Sequence, residues 1–245
     1  MRQAIKRLLL NIIRRTGYDL IPRGTAAHSR ALLTQALGRT AARLPGIKTI
    51  IDVGASDGQW TAITRRFYPD AHYLLVEANM VHQPALEAFT TRHPNVEYVL
   101  AAAGAEVGEV FFDNSAAFGG VATLEARSPE MIRVPMTSLD ALASERGLAG
   151  PFAIKLDTHG FEVPILEGAQ TLLEQTDLLI IEVYNFRIED DSLLFYEMCA
   201  YLEERGFRPV DLCDPMYRTY DDAFWQMDLF FVRADRPMFD YNRYE

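Results

Sequence analysis

The stretch Thr49–Thr61 limits what this chain can fold into more than any other. It opens as a β-branched apolar run, Thr49-Ile50-Ile51-Asp52-Val53, and breaks at Gly54 and Gly58. Helix-forming sequence follows from Trp60 to Tyr68. This is a strand, a tight turn and a helix. In an open α/β sheet, ligands bind outside the carboxyl ends of the strands, where such turns lie. Three readings fit the turn: a cofactor loop, a hydrolase nucleophile elbow, or a plain connection.

The rest of the chain supplies the sheet. Strands are expected at His72–Glu77, Val96–Ala101, Phe152–Asp157 and Leu178–Tyr184, with helical sequence at 84–91, 163–175 and 193–205. Strands alternating with helices imply βαβ units and a parallel sheet. Phe207–Leu212 and Met227–Val232 follow with only a loop between them, so they pair antiparallel or lie apart. Gly108–Asp113 and Met131–Met136 read as an inserted pair of short strands, a hairpin beside the sheet. The expected fold is α/β: a Rossmann-like, mostly parallel seven-stranded sheet with an antiparallel terminal strand, in a three-layer sandwich. A helical extension, 1–46, precedes the main domain, 47–245.

Composition restricts the partners. Of 24 Lys/Arg and 34 Asp/Glu, residues 1–43 hold nine of the bases and one acid, Asp19. An acidic main body argues against nucleic acid as substrate. The basic arm fits anionic lipid or the chain's own acidic body. Residues 2–15 carry Ile5, Leu8, Leu9, Ile12 and Ile13 on one helical face, and are too short to span a bilayer. They read either as a peripheral membrane contact or as a helix packed on its own domain. Cys199 and Cys213 make no metal-ligand spacing and no disulfide framework, so a cytoplasmic location is expected.

The turn Gly54-Ala55-Ser56-Asp57-Gly58 lacks the Gly-x-Gly-x-x-Gly of dinucleotide binding. It matches Gly-x-Ser-x-Gly, but a hydrolase elbow follows several strands and its His comes late. Here the turn follows the first strand, and the last histidine, His159, precedes the fifth. The cofactor reading remains. Asp52 can fix the loop or reach a ligand ammonium, and Gly54 and Gly58 admit close approach of the backbone. Glu77 can accept both ribose hydroxyls of an adenosine. Ser56 and Ala78 complete the set. The glycine pattern favours S-adenosylmethionine over NAD. An NAD-linked oxidoreductase, and a non-catalytic nucleotide-binding protein at a membrane surface, are the alternatives.

Five segments carry a resemblance: Ile51–Gly58, Val76-Glu77-Ala78-Asn79, Thr137-Ser138-Leu139-Asp140, Ile154–Glu162 and Leu166-Glu167-Gly168-Ala169. Over about residues 48–185 the chain resembles the FkbM family of S-adenosylmethionine-dependent methyltransferases. Lys155-Leu156-Asp157-Thr158-x-Gly160-x-Glu162 is the most specific element. Family members typically carry Glu or Gln at the position of His159, and Asn at that of Ser56. The resemblance implies O-methylation of a hydroxyl, often on a sugar or polyketide-like acceptor.

Transfer to oxygen needs the acceptor aligned behind the methyl and its proton removed. His159, whose ordinary pKa lies near neutral, is the expected general base. Asp157 is expected to orient it or the acceptor, and Glu182 shares the same sheet edge. His159 as a turn residue, with Glu162 complementing a helix dipole, is the alternative. Asp157, Glu182 and Asn185 offer oxygens to a divalent cation, a reading not favoured because a clear ligand motif is lacking. The loop 113–128 and the aromatics Tyr217, Tyr220, Phe224 and Trp225 are candidates to shape the acceptor pocket, though aromatics at this density more often form core.

Overall fold

A computed structural model describes residues 26–245. The segment 2–15 lies outside the described residues. The central sheet holds seven strands in the order β10-β11-β9-β8-β1-β2-β3. Its middle is β1 (Thr49–Val53), flanked in parallel by β2 (His72–Glu77) and β8 (Phe152–Leu156). Strand β3 (Val96–Leu100) extends one side, and β9 (Thr176–Tyr184) the other. Every residue of β1 and β8 is buried. That is the pattern of parallel strands covered on both faces.

The last two strands close the sheet antiparallel: β11 (Phe224–Arg233) against β9, then β10 (Phe207–Tyr217) against β11. Both run longer than expected. Pro209 and Pro215 break the apparent strand in sequence, but β10 is an edge strand whose register shifts at both sites. Prolines are tolerated there because no second neighbour needs their missing N–H.

Alternating side chains build two cores. Ile51, Val53, Leu74, Val76, Ile154 and Leu156 face one side. They are covered by α4 (Leu139–Arg146), α5 (Glu162–Glu167), α6 (Gln170–Glu174) and α7 (Phe195–Glu203). Ile50, Tyr73, Leu75 and Ala153 face the other, under α1 (Ala26–Arg43), α2 (Gln59–Thr64) and α3 (Gln83–Arg92). Helices on both faces of the sheet make the three layers. Ala36 and Leu37 of α1 are fully buried in the second core, and Arg39 and Arg43 both pair with Asp211 of β10. Two cations of the basic arm thus meet the acidic body directly.

Two expectations are corrected. The insertion is a second sheet of four strands, ordered β4-β7-β5-β6, rather than one hairpin. It comprises β4 (Ala102–Ala103), β5 (Gly108–Asp113), β6 (Val121–Thr123) and β7 (Ile132–Thr137). Strands of two and three residues leave no periodicity to read. The expected helix 163–175 is two helices, α5 and α6. A Cβ on Gly168 between them would lie 2.0 Å from the Gly104 carbonyl oxygen, so the chain turns there under a close backbone contact. Asp140 accepts from the amides of Thr171 (3.0 Å) and Leu172 (2.8 Å) and holds the start of α6. Ser138 caps α4 by accepting from the Ala141 amide. The Thr137–Asp140 motif is therefore architectural.

Candidate active site

The strand order reverses at β1 and β8, the switch point where an open α/β sheet binds ligands. Val53 pairs with both Val76 and Leu156, so the three strands end level and their turns meet. Gly54, at φ 73°, passes so close to the next turn that a Cβ would lie 2.0 Å from the Asp157 carbonyl oxygen. Only glycine fits.

Glu77 closes the turn from the β2 side. Its Oε2 accepts from the Ser56 amide and its Oε1 from the Asn79 amide, both at 2.7 Å. Each carboxylate oxygen keeps a second lone pair toward the cavity. Asp52 works from beneath. It is fully buried, and its Oδ2 accepts from the Thr61 hydroxyl at 2.6 Å. The Lys155 ammonium lies 3.3 Å from its Oδ1 without hydrogen-bond alignment, donates to the Gly54 carbonyl at 3.2 Å, and stands 3.1 Å from Asp157 Oδ2. Burial alone would lower the Lys155 pKa, but Asp157 and Asp52 outweigh it and keep the ammonium charged. Of the two uses offered for Asp52, fixing the loop is the one the geometry serves.

On the β8 side, Thr158-His159-Gly160 forms a tight turn in which His159 takes φ 53° and Gly160 φ 104°. A bulky residue at positive φ is costly and concentrates at functional sites. Glu162 shapes this turn, accepting from the Gly160 amide (3.0 Å) and the Thr158 hydroxyl (3.1 Å). The imidazole Nδ1 lies 3.0 Å from Glu182 Oε2, 2.7 Å from the Tyr184 hydroxyl and 3.9 Å from Asp157 Oδ1. Glu182 also accepts from Tyr184 and, through its other oxygen, from the Gln226 amide. Burial opposes charge on His159, but the hydrogen bond and charge of Glu182, with Asp157, raise its pKa above the ordinary value. Burial first, then Asp157, raises Glu182.

A cavity of about 260 Å³ lies between the two sides. Gly54, Ser56, Glu77 and Ala78 line one wall, and Asp157, His159 and Glu182 the other. Asp52 and Gly58 do not line it. Part of the expected loop, Ala117–Gly120 with Ala122, roofs it. Tyr217, Tyr220, Phe224 and Trp225 lie outside its lining; Tyr217 and Tyr220 are exposed at the surface. Asn185 donates its amide to the Phe224 carbonyl at 3.2 Å. The donor atoms of Asp157, His159 and Glu182 do lie within 4.8 Å of one another.

Sequence reading passed over Tyr184, His82 and the role of Asn79. His82 Nε2 donates to the Ala117 carbonyl at 2.7 Å, and Asn79 reaches the Ala116 and Ala117 carbonyls at 3.3 and 3.4 Å. Together they tie the roof loop to the end of β2. The signal for Tyr184 was its spacing of two from Glu182 on one strand, which puts both on one face.

The family model for the methyltransferase FkbM domain matches residues 52–209. Three solved structures resemble the chain at low identity. The precorrin-6y C5,15-methyltransferase from Geobacter metallireducens is 13% identical at a TM-score of 0.44, over 83% of this chain and 87% of that one. The 1,6-didemethyltoxoflavin-N1-methyltransferase from Burkholderia thailandensis is 15% identical at a TM-score of 0.47, over 84% and 80%. An rRNA methylase from Streptococcus thermophilus is 12% identical at a TM-score of 0.45, over 87% and 99%. No curated protein matches the sequence significantly. The family model covers more than half the chain and includes both walls of the cavity, and the chain belongs to the FkbM methyltransferase domain family.

Proposed function

We propose that this chain is an S-adenosylmethionine-dependent O-methyltransferase acting on a hydroxyl of a small-molecule or glycan acceptor. One observation supports this most: a single cavity has a Gly54–Glu77 cradle on one wall and the His159 imidazole on the other. The cradle fits an adenosine. Its glycine backbone comes close without side chains, and the free lone pairs of Glu77 suit two ribose hydroxyls. Ser56 and Ala78 border the same pocket.

Bound there, S-adenosylmethionine supplies a sulfonium-activated methyl group. The chain must then hold the acceptor hydroxyl in line and take up its proton. His159 Nε2 is the proton acceptor in this reading. A Cβ on Gly119 of the roof would lie 3.8 Å from it, so the nitrogen looks toward the cavity roof. Glu182, rather than Asp157, is the nearer carboxylate to Nδ1 and supports the imidazolium that forms. Asp157, held by Lys155, keeps its charge beside the transfer point; burial opposes this, and Lys155 and His159 pull its pKa below the ordinary value. Family membership favours methyl transfer over the oxidoreductase alternative.

Among the described residues no helix is long and apolar enough to cross a membrane. A peripheral membrane contact through residues 2–15 stays a proposal, as does a cytoplasmic location.

Calorimetric titration with S-adenosylhomocysteine and with NAD tests the cofactor half. Micromolar binding of the former alone is expected, and binding of NAD alone overturns the reading. For the acceptor half, radiolabelled methyl transfer is followed into glycan and small-molecule extracts. Label in an alkali-stable ether is expected, whereas label only on nitrogen or carbon refutes O-methylation.

A further inference from the structure

Tyr184 ends β9 with its side chain buried, and no role falls to it from the family motifs. Its hydroxyl is the nearest hydrogen-bond partner of His159 Nδ1, at 2.7 Å against 3.0 Å for Glu182 Oε2. The same hydroxyl is in close contact with Glu182 Oε2. Three polar atoms therefore converge, and only two protons are available to join them.

Chemistry decides where those protons go. A phenol carries one proton and can give it to Glu182 or to Nδ1. A carboxylate is the stronger acceptor, because a bond to a charged oxygen is roughly twice as strong as a neutral one. Gln226 holds the other oxygen of Glu182, so the carboxylate is fixed in place to receive it. With its proton committed to Glu182, the Tyr184 oxygen offers only lone pairs to Nδ1. The imidazole then has to carry its own proton on Nδ1. Were Tyr184 to donate to Nδ1 instead, the proton would move to Nε2, and the cavity-facing nitrogen would lose its basicity.

We infer that Tyr184 is a positioning residue: it accepts from Nδ1–H, donates to Glu182, and so keeps the Nε2 lone pair of His159 toward the cavity. This rests on the reading of His159 as the base. Two further features agree. Burial, and then Glu182, push the phenol pKa far above its ordinary value, so it stays a donor throughout the working range. The positive φ of His159 is a strained conformation that a two-point hold on the ring helps to maintain.

The tautomer can be read directly. Full-length protein labelled with ¹⁵N-histidine is placed above the imidazole pKa with saturating S-adenosylhomocysteine, and long-range ¹H–¹⁵N spectra are recorded. A His159→Gln variant assigns the signals. Wild type is expected to show an unprotonated Nε2 and a protonated Nδ1. Tyr184→Phe is expected to lower the ratio of this tautomer to its alternative by about tenfold, the weight of one hydrogen bond to a polarised partner. An unchanged ratio overturns the role of Tyr184 and leaves His159 standing as the base. A protonated Nε2 in the wild type overturns both. Wild type alone gives a second test, independent of how the variant folds. A slowly exchanging Tyr184 hydroxyl proton with a nuclear Overhauser contact to His159 Hδ1 is expected, and its absence counts against the arrangement.

Discussion

The Gly54 backbone rests against the carbonyl of Asp157: a Cβ on Gly54 would stand 2.0 Å from that oxygen. The two walls of the cavity are thus in direct backbone contact, one from β1 and one from β8. Lys155 reinforces the contact by donating to the Gly54 carbonyl while pairing with Asp157.

Gly54→Ala is expected to break this contact. A non-glycine residue in the left-handed region costs about 1–2 kcal/mol, and the backbone clash adds to it. Urea unfolding is expected to show a loss of at least about 2 kcal/mol, with S-adenosylhomocysteine binding weakened more than tenfold. Wild-type stability with wild-type affinity would show that the two turns can separate freely.

Glu77→Gln tests the cradle from the other side. The amide offers one acceptor oxygen where the carboxylate offers two, and its NH₂ would face a backbone N–H. An unsatisfied buried donor costs about 1–3 kcal/mol. Titration is expected to show at least about tenfold weaker binding of S-adenosylhomocysteine, a step worth about 1.4 kcal/mol.

The base reading carries a pH signature. His159 must be neutral to take a proton, and its pKa is raised above 6.5 by Glu182 and Asp157 against the opposing effect of burial. Methyl transfer should therefore rise with pH through that raised value, and His159→Ala should lose the acidic limb along with most of the rate. The stability contribution runs the other way. A raised folded pKa means His159 stabilises the fold fully below the unfolded value and loses that contribution as pH climbs through the folded one. Full turnover in His159→Ala would pass the role to Asp157 or Glu182.

Asp228 pairs across the sheet with Glu182, and burial, then Asp157 and Glu182, push its carboxyl up to about 8. The folded state prefers the protonated acid. Its stabilising contribution is present below the ordinary 3.8 and is lost as pH rises from there to about 8. Asp228→Asn mimics the protonated form. Its melting temperature is expected to exceed wild type by a margin that grows from pH 5 to pH 9. An equal margin at both pH values would mean the gain is not electrostatic.

The roof loop can be tested through its latch. His82→Ala removes the bond to the Ala117 carbonyl, one of the ties between the end of β2 and the roof. Amide exchange across residues 115–120 is expected to speed up several-fold to tenfold, the range set by one lost hydrogen bond. Exchange confined to wild-type rates would place the roof's stability in the second sheet instead.

The sequence by itself determined the seven strands of the main sheet, the turn at Gly54 and the acid at Glu77. Each rests on local chemistry: apolar runs of strand length, glycines where φ turns positive, and a carboxylate at a strand end. It also marked His159 and Glu182 as sharing one sheet edge, since His159 follows one strand and Glu182 lies near the carboxyl end of the next. Only the tertiary structure decided their partners. Asp52, expected to fix the loop or reach a ligand ammonium, is buried on Thr61 and Lys155. Glu182 lies nearer to His159 than Asp157 does, and Tyr184 joins them. The two shortest strands of the second sheet, β4 and β6, and the His82 latch were likewise invisible. Strands of two or three residues carry no period, and contacts between residues 35 or 101 positions apart depend on how strands are ordered across the sheet. Spacing along the chain says which face a side chain takes; which atoms it meets there is set by the packing of segments far apart in sequence.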